Sequence, residues 1–264
     1  MSASVPSEPP ADLAQRPQLF AETMIVLGVS LGSSGIYALL SIIDSLTRPQ
    51  PLNQQTTSMN NSVTPDRPWL DLAYQAANIV LPLVPVLLAI YLLNRVSRPV
   101  LSATATMGFD GRQPLRDSGR AALLAALIGI PGIAFYLLAR QIGINTNVQP
   151  ANLAANWWTI PVYLLRAAMN GILEEVIMVG YLFTRWSQLN WRPLKIILVS
   201  ALIRGSYHLY QGFGGFLGNV VMGIAFGWFY TRTRRVLPLV IAHTLMDVVV
   251  FVGYPLAKAR FPGI

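Results

Sequence analysis

Two adjacent glutamates occupy the middle of the segment NGILEEVIMVG, residues 170–180. Glu174 and Glu175 lie within a strongly apolar stretch, and Asp247 is the one other acidic residue between position 150 and the C-terminus. Burying a carboxylate without a partner is costly, so two of them side by side favour a functional role over a structural one. In a low-dielectric site, a carboxylate can act as a general base that takes a proton from water.

The two histidines of the protein are further candidates: His208 in the segment IRGSYH and His243 in the segment HTLMD. His243 and Asp247 are four residues apart, which places them on one face of a helix. One neutral histidine can share a proton with a glutamate or bind a metal. A second histidine with a carboxyl group can stabilise an oxyanion or complete a metal site. Attack of water on an amide bond is the reaction that this set of groups would serve.

Other protease chemistries and structural roles are the alternatives to this interpretation. The sequence has no HExxH motif and no Gly-x-Gly-Asp motif, while Gly205-Ser206 leaves a weak serine alternative. A single membrane histidine, or a histidine and an aspartate one turn apart, can also serve only as a packing hydrogen bond. Adjacent residues of a helix point ~100° apart, so the two glutamates cannot do the same job: one can face the site while the other braces a neighbouring helix.

Long apolar segments must position these residues. The chain has 264 residues, of which only 11% are charged, whereas a soluble domain carries about 25%. Seven apolar segments each approach or exceed the ~20 residues that cross a bilayer as a helix: 19–44, 69–94, 119–141, 157–186, 193–211, 213–231 and 236–257. We therefore predict an all-α fold, a polytopic membrane helix bundle with about seven (seven or eight) transmembrane helices. The absence of cysteine excludes disulfides and cysteine nucleophiles.

The candidate residues fall at similar depths in this bundle. At ~1.5 Å per helical residue, Glu174 lies ~18 Å and Glu175 ~16 Å above the inner boundary. The same arithmetic gives ~20 Å for His208, ~11 Å for His243 and ~17 Å for Asp247. Three separate helices thus bring polar groups to one level, as a shared site requires. Ionisable residues inside membrane segments are rare and usually functional.

The net charge of +8 follows the predicted topology and does not indicate nucleic-acid binding. Most arginines and lysines fall in the loops after the second, fourth and sixth segments, which is the positive-inside pattern. This pattern predicts a multi-pass membrane protein, of the cell membrane, with a cytoplasmic N-terminus and an outer C-terminus. Lys258 and Arg260, on the outer tail, do not fit the pattern.

We predict one membrane domain with short ends. Residues 1–18 are polar and Pro-rich and are expected to be disordered and cytoplasmic. Residues 19–257 form the membrane domain, within which 157–257 carry the polar groups and form the catalytic core, and 258–264 form a tail.

Three motifs in this core resemble those of the CPBP family of membrane endopeptidases, the CAAX proteases and bacteriocin-processing proteins. EEVIMVG resembles the family's EExxxRG, His208 in IRGSYH resembles its FxxxH, and HTLMD resembles its HxxxN/D. The resemblance covers about residues 157–257 and implies an all-helical intramembrane protease. It implies that Glu174 activates water with His208 and that Glu175 orients the site. It also implies that His243 and Asp247 bind the oxyanion, or a metal such as zinc if the enzyme is metal-dependent.

The sequence departs from these motifs at two positions. The motif arginine is replaced by Val179, and the phenylalanine of FxxxH is replaced by Arg204. Arg204 lies one turn before His208 at a height of ~14 Å, close to that of Glu175. We therefore predict that Arg204 crosses between helices to pair with Glu175. The alternative is that Arg204 extends to the cytoplasmic interface and Glu175 is protonated.

The leading functional hypothesis is a CPBP-type intramembrane endopeptidase, dependent on glutamate or on metal, that acts on a membrane-associated protein or peptide. The departures from the motifs support a second hypothesis, a catalytically inactive membrane scaffold or maturation factor. The third is a proton-coupled transporter that uses the carboxylates as a relay, although no inverted repeat is apparent.

Overall fold

Helices make up nearly all of the chain, as predicted. The computed structural model describes residues 15–96 and 102–260. The predicted disordered segment 1–18 falls mostly outside the described residues, but the first helix already begins at Arg16. Residues 261–264 of the predicted tail also fall outside them.

The described residues contain twelve α-helices. Their bounds are α1 Arg16–Leu27, α2 Ser33–Thr47, α3 Pro68–Val80, α4 Val84–Val96, α5 Ala103–Thr106, α6 Pro114–Gln141, α7 Thr159–Glu175, α8 Leu182–Gln188, α9 Pro193–Ser206, α10 Phe213–Thr233, α11 Leu237–Val248 and α12 Tyr254–Arg260. Four pairs are joined without a loop, through single irregular turns at Gly28–Gly32, Leu81–Leu83, Val176–Tyr181 and Val249–Gly253. With α6, α9 and α10, these four pairs form the seven long helical segments that hydropathy predicts.

Five of the seven segments in the described residues are long and apolar enough to cross a membrane. They are Arg16–Thr47, Pro68–Arg95, Pro114–Gln141, Phe213–Thr233 and Leu237–Ala257. Their outer surfaces expose large apolar side chains to the surroundings, for example Ile130 and Val221. The protein is therefore a polytopic helical bundle and an integral membrane protein.

The other two segments are those that carry the candidate glutamates and the candidate His208. The α7–α8 segment is long but contains four ionisable side chains, at Arg166, Glu174, Glu175 and Arg185. Helix α9 ends at Ser206, five residues before the predicted end of its segment, and is only ~21 Å long. The chain turns there because Gly212 adopts φ +110°, and a Cβ at this position would lie 2.6 Å from the carbonyl oxygen of Ile144.

Three connections meet at one end of the bundle. Strand β1, Thr56–Ser58, pairs in parallel with strand β2, Asn147–Gln149. The amide of Thr146 donates to the carbonyl of Gln211 at 2.9 Å, which fixes the turn after α9 to this small sheet. The connection between α2 and α3 thus contains a strand, because its short polar run finds hydrogen-bonding partners in a loop distant in sequence.

Two further connections meet at the opposite end. The amide of Val236 donates to the carbonyl of Met107 at 3.0 Å. Arg235 donates to both carboxylate oxygens of Asp117, which is fully buried, and also reaches Asp110. Hydrogen bonds from Arg112 lower the pKa of Asp110 to about 2, so this carboxylate stays charged beside Arg235. Loops predicted to alternate between two sides of the membrane therefore do lie at two ends of the bundle.

Close helix contacts hold the C-terminal segments together. A Cβ on Gly171 of α7 would lie 2.8 Å from the carbonyl oxygen of Val240 in α11, and one on Gly223 of α10 would lie 2.8 Å from the Cα of Ala201 in α9. Small residues at these positions let the backbones approach closely, as is typical of membrane helices. The result is that α7, α9 and α11 surround a common interior.

Single cysteines should report the orientation of these two ends, since the natural sequence contains no cysteine. Ser58 and Arg234 lie at opposite ends and are both exposed. We expect Arg234→Cys to react with a membrane-impermeant maleimide only after the cytoplasmic side is opened, because the positive-inside pattern predicts that the basic loops face the cytoplasm. Ser58→Cys should react in intact cells. Reaction of both variants from one side would contradict the predicted topology.

Candidate active site

The structure brings all six predicted site residues together from three helical segments. Glu174 and Glu175 are the last two residues of α7, while Arg204 lies near the end of α9 and His208 in the turn that follows it. His243 and Asp247 lie on α11. The depth calculation from sequence therefore predicted a real spatial cluster, although His208 stands beyond the end of its α-helix.

Glu175 is the buried brace of this cluster. Its side chain is fully buried, and Oε2 accepts a hydrogen bond from Arg204 Nη2 at 2.8 Å. Its other oxygen, Oε1, lies 2.7 Å from His243 Nδ1. The predicted pairing of Arg204 with Glu175 is confirmed, and the alternative, in which Arg204 extends to the interface, is wrong. Charge-assisted bonds of this kind offset the cost of burying the carboxylate.

Arg204 also binds Glu174, and the sequence did not predict this contact. Its Nη1 donates to Glu174 Oε2 at 3.1 Å, and the hydroxyl of Tyr207 donates to the same oxygen at 2.8 Å. The planar guanidinium thus spans both carboxylates, a geometry that a lysine ammonium could not reproduce. Glu174 Oε1 makes no hydrogen bond within the described residues, and the Glu174 side chain is 11% exposed. One oxygen is fixed, and the other is free to act.

His208 stands beside Glu174, nearest to the oxygen that Arg204 and Tyr207 also approach. Its Nε2 lies 3.9 Å from Glu174 Oε2, which is beyond hydrogen-bonding distance. Across the described residues, neither ring nitrogen of His208 has a hydrogen-bond partner. The ring packs between Tyr207 and Tyr210, with centroids 4.9 and 6.2 Å away. His208 is therefore held by aromatic packing, while the hydrogen-bonding capacity of its two buried nitrogens is unused among the described residues.

His243 and Asp247 face one another across one turn of α11, as their spacing predicted. His243 Nε2 lies 3.8 Å from Asp247 Oδ1, so the two groups are close but not hydrogen bonded. The partner of Asp247 is Asn170 of α7, whose Nδ2 donates to Oδ2 at 2.9 Å. This bond ties α7 to α11 at the level of the site.

Sequence reasoning missed two residues of this site, Asn170 and Tyr207. Asn170 could have been found, because it lies four residues before Glu174 and so shares its helix face. Tyr207 gave no comparable signal, since a tyrosine is common in membrane segments and its partner lies on another helix.

Within the part of the chain that the structure describes, one group of side chains could hold a metal ion. Glu174, Glu175 and His243 offer ligand atoms that all lie within 4.8 Å of one another, and zinc accepts such oxygen and nitrogen ligands. However, Arg204 binds one oxygen of each glutamate, and the other oxygen of Glu175 is bonded to His243. A divalent cation would face this guanidinium and compete for the same atoms. The donor set as arranged does not fit zinc, because the arginine already supplies the positive charge.

Comparison with known proteins agrees with the motifs. Residues 156–249 match the family model described as type II CAAX prenyl endopeptidase Rce1-like. The matched segment includes α7 to α11 and all six predicted site residues. No curated protein and no solved structure matches the chain. Residues 156–249, with their paired glutamates and two histidines on neighbouring helices, are thus similar to the CPBP family of membrane proteins.

Proposed function

We propose that the protein is a glutamate-dependent intramembrane endopeptidase of the CAAX type, and that Glu174 and His208 together activate the attacking water. The observation that carries this proposal is the asymmetry of Glu174. Arg204 and Tyr207 fix Oε2, which also lies 3.9 Å from Nε2 of His208, while Oε1 has no hydrogen-bond partner within the described residues. A general base needs this combination of fixed position and free lone pair.

The reaction follows from this placement. Glu174 takes a proton from water as the water oxygen attacks the carbonyl carbon of the peptide. The carbonyl oxygen gains negative charge, and the C–N bond then breaks. The proton taken from water, held by Glu174 or His208, passes to the leaving amine. Glu175 stays buried and paired with Arg204, so it positions the machinery without exchanging protons.

The same geometry supports catalysis over the alternative of an inactive scaffold. That alternative drew its support from Val179 and Arg204, which replace two residues of the family motifs. Arg204 supplies a guanidinium to Glu175 from α9, and thus restores the charge that Val179 removes from α7. The two departures therefore compensate each other.

The family match and the apolar helices support a class of substrate and a location for the protein. The family includes prenyl endopeptidases, so we propose a membrane-associated peptide or protein as substrate, with the prenylated C-terminus as its first candidate form. We also propose that the protein lies in the cell membrane with its N-terminus in the cytoplasm, as the positions of the basic loops predict.

Replacing Glu174 with glutamine should remove the activity and leave the fold intact. The amide oxygen can still accept from Arg204 and Tyr207, but the base is lost, and a loss of at least ~10²-fold in kcat is expected. The measurement is hydrolysis of a fluorescence-quenched, prenylated CAAX peptide by purified protein in proteoliposomes, together with a quenched peptide library.

The matched control is Glu22→Gln. Glu22 also accepts bonds from an arginine and a tyrosine, Arg185 and Tyr181, but outside the site, so this variant should keep its activity. Wild-type turnover by the Glu174→Gln variant would contradict the assignment of the base. Absence of hydrolysis by the wild type on every peptide would favour the scaffold or the transporter instead.

Arg204 and Val179 should show reciprocal rescue. Arg204→Phe alone leaves Glu175 buried and unpaired, which should cost about 3–5 kcal/mol of stability and most of the activity. Adding Val179→Arg recreates the family arrangement and should recover a large part of both. Val179→Arg alone should be harmful, because it places a second guanidinium beside the first. Thermal unfolding in detergent and peptide hydrolysis measure the coupling, and additive effects of the two changes would refute compensation.

Metal removal should leave the enzyme active. Elemental analysis of the purified protein should find less than one zinc per chain, and dialysis against a chelator should leave turnover unchanged, since Arg204 binds one oxygen of each glutamate and His243 the other oxygen of Glu175. Loss of activity on chelation, with recovery on adding zinc, would establish the metal-dependent alternative.

A further inference from the structure

Catalysis by this site needs a donor for the carbonyl oxygen as it becomes negatively charged, and the residues first expected in that role are poorly arranged for it. His243 directs Nδ1 to Glu175, and its Nε2 faces the carboxylate of Asp247. Asp247 already uses Oδ2 to accept a hydrogen bond from Asn170, and as a carboxylate it has no hydrogen to donate to an oxyanion. The guanidinium of Arg204 is only 1% exposed and is divided between the two glutamates.

Asn170 has the missing property. Its side-chain amide carries two N–H groups, and Asp247 uses one of them at 2.9 Å. The second N–H has no acceptor within the described residues. Asn170 lies one helical turn before Glu174 on the same face of α7 and is half-buried, as is Asp247. The amide is therefore one helical turn from the catalytic carboxylate, only partly buried, and neutral.

We propose that Asn170 is a catalytic residue whose free N–H binds the oxyanion, and that Asp247 is a positioning residue which fixes the amide plane through its hydrogen bond. This inference rests on the proposed endopeptidase function. It moves the oxyanion role from α11 to α7, so that base and oxyanion donor stand one turn apart on a single helix. An ionised Asp247 then has a use, because a carboxylate orients an amide firmly but cannot itself stabilise negative charge.

The arrangement predicts that the amide and the carboxylate can be exchanged. In the double variant Asn170→Asp with Asp247→Asn, the amide stands on α11 and the carboxylate on α7, and the hydrogen bond between them is kept. The pair can then still present an N–H to the same space. The single change Asn170→Asp removes the donor and sets two carboxylates against each other.

The test is steady-state hydrolysis of the quenched prenylated CAAX peptide in proteoliposomes by wild type, Asn170→Ala, Asn170→Asp and the double exchange. Loss of one oxyanion donor should lower kcat by ~10²–10³-fold in Asn170→Ala while KM changes less than ~3-fold, because the bond forms mainly in the transition state. The double exchange should recover at least tenfold over Asn170→Asp.

Melting temperature and the Glu174→Gln variant separate the possible failures. Wild-type kcat in Asn170→Ala would overturn the proposal. A lower kcat would also overturn it if the melting temperature falls, KM rises and the double exchange restores nothing. That combination indicates that the Asn170–Asp247 hydrogen bond only ties α7 to α11 structurally. If the wild type hydrolyses the peptide and Glu174→Gln does not, either result overturns only the role of Asn170. If the wild type hydrolyses neither this peptide nor any member of the quenched peptide library, the endopeptidase function fails and the role of Asn170 fails with it.

Discussion

Two adjacent carboxylates inside an apolar bundle are stable only if a cation reaches both, and in this protein a single guanidinium does so. Arg204 lies between Glu174 and Glu175 and donates one nitrogen to each. Without it, the buried Glu175 would be an uncompensated charge, with a cost large enough to unfold a marginally stable bundle or to force protonation. The positions of α7 and α9 relative to each other follow from this requirement, because the arginine must span the gap between them.

The same interaction divides the work between the two glutamates. Adjacent helical residues diverge by ~100°, so Glu175 points inward to Arg204 and His243 while Glu174 presents its second oxygen to the less buried side. A shared arginine offsets the charge of both glutamates, with Glu175 fully buried and Glu174 still partly accessible. His208 lies next to Glu174 in the turn after α9, outside any α-helix. Aromatic packing holds its ring and leaves its nitrogens without a hydrogen-bond partner among the described residues.

The ends of the bundle support the site from a distance. At one end, the β1–β2 pair and Thr146 fix the turn that carries His208. At the other, Arg235 and the buried Asp117 hold the entry to α11 against the start of α6. Such polar ties replace the hydrophobic driving force, which contributes little between helices already surrounded by lipid.

The sequence by itself determined the seven helical segments, their alternation between two ends, and the six ionisable residues of the cluster. These follow from local composition. An apolar run of membrane length is costly outside a bilayer, and a charged residue within such a run is costly unless it has a partner or a function. It also determined the pairing of Arg204 with Glu175, because an acid that loses one partner needs another at the same depth. Tertiary structure alone decided the second bond of Arg204, the roles of Tyr207 and Asn170, the β1–β2 pair and the early end of α9. Neutral hydrogen-bonding groups cost little in many environments, so their partners depend on how the helices and loops meet in space, which no local pattern in the chain records.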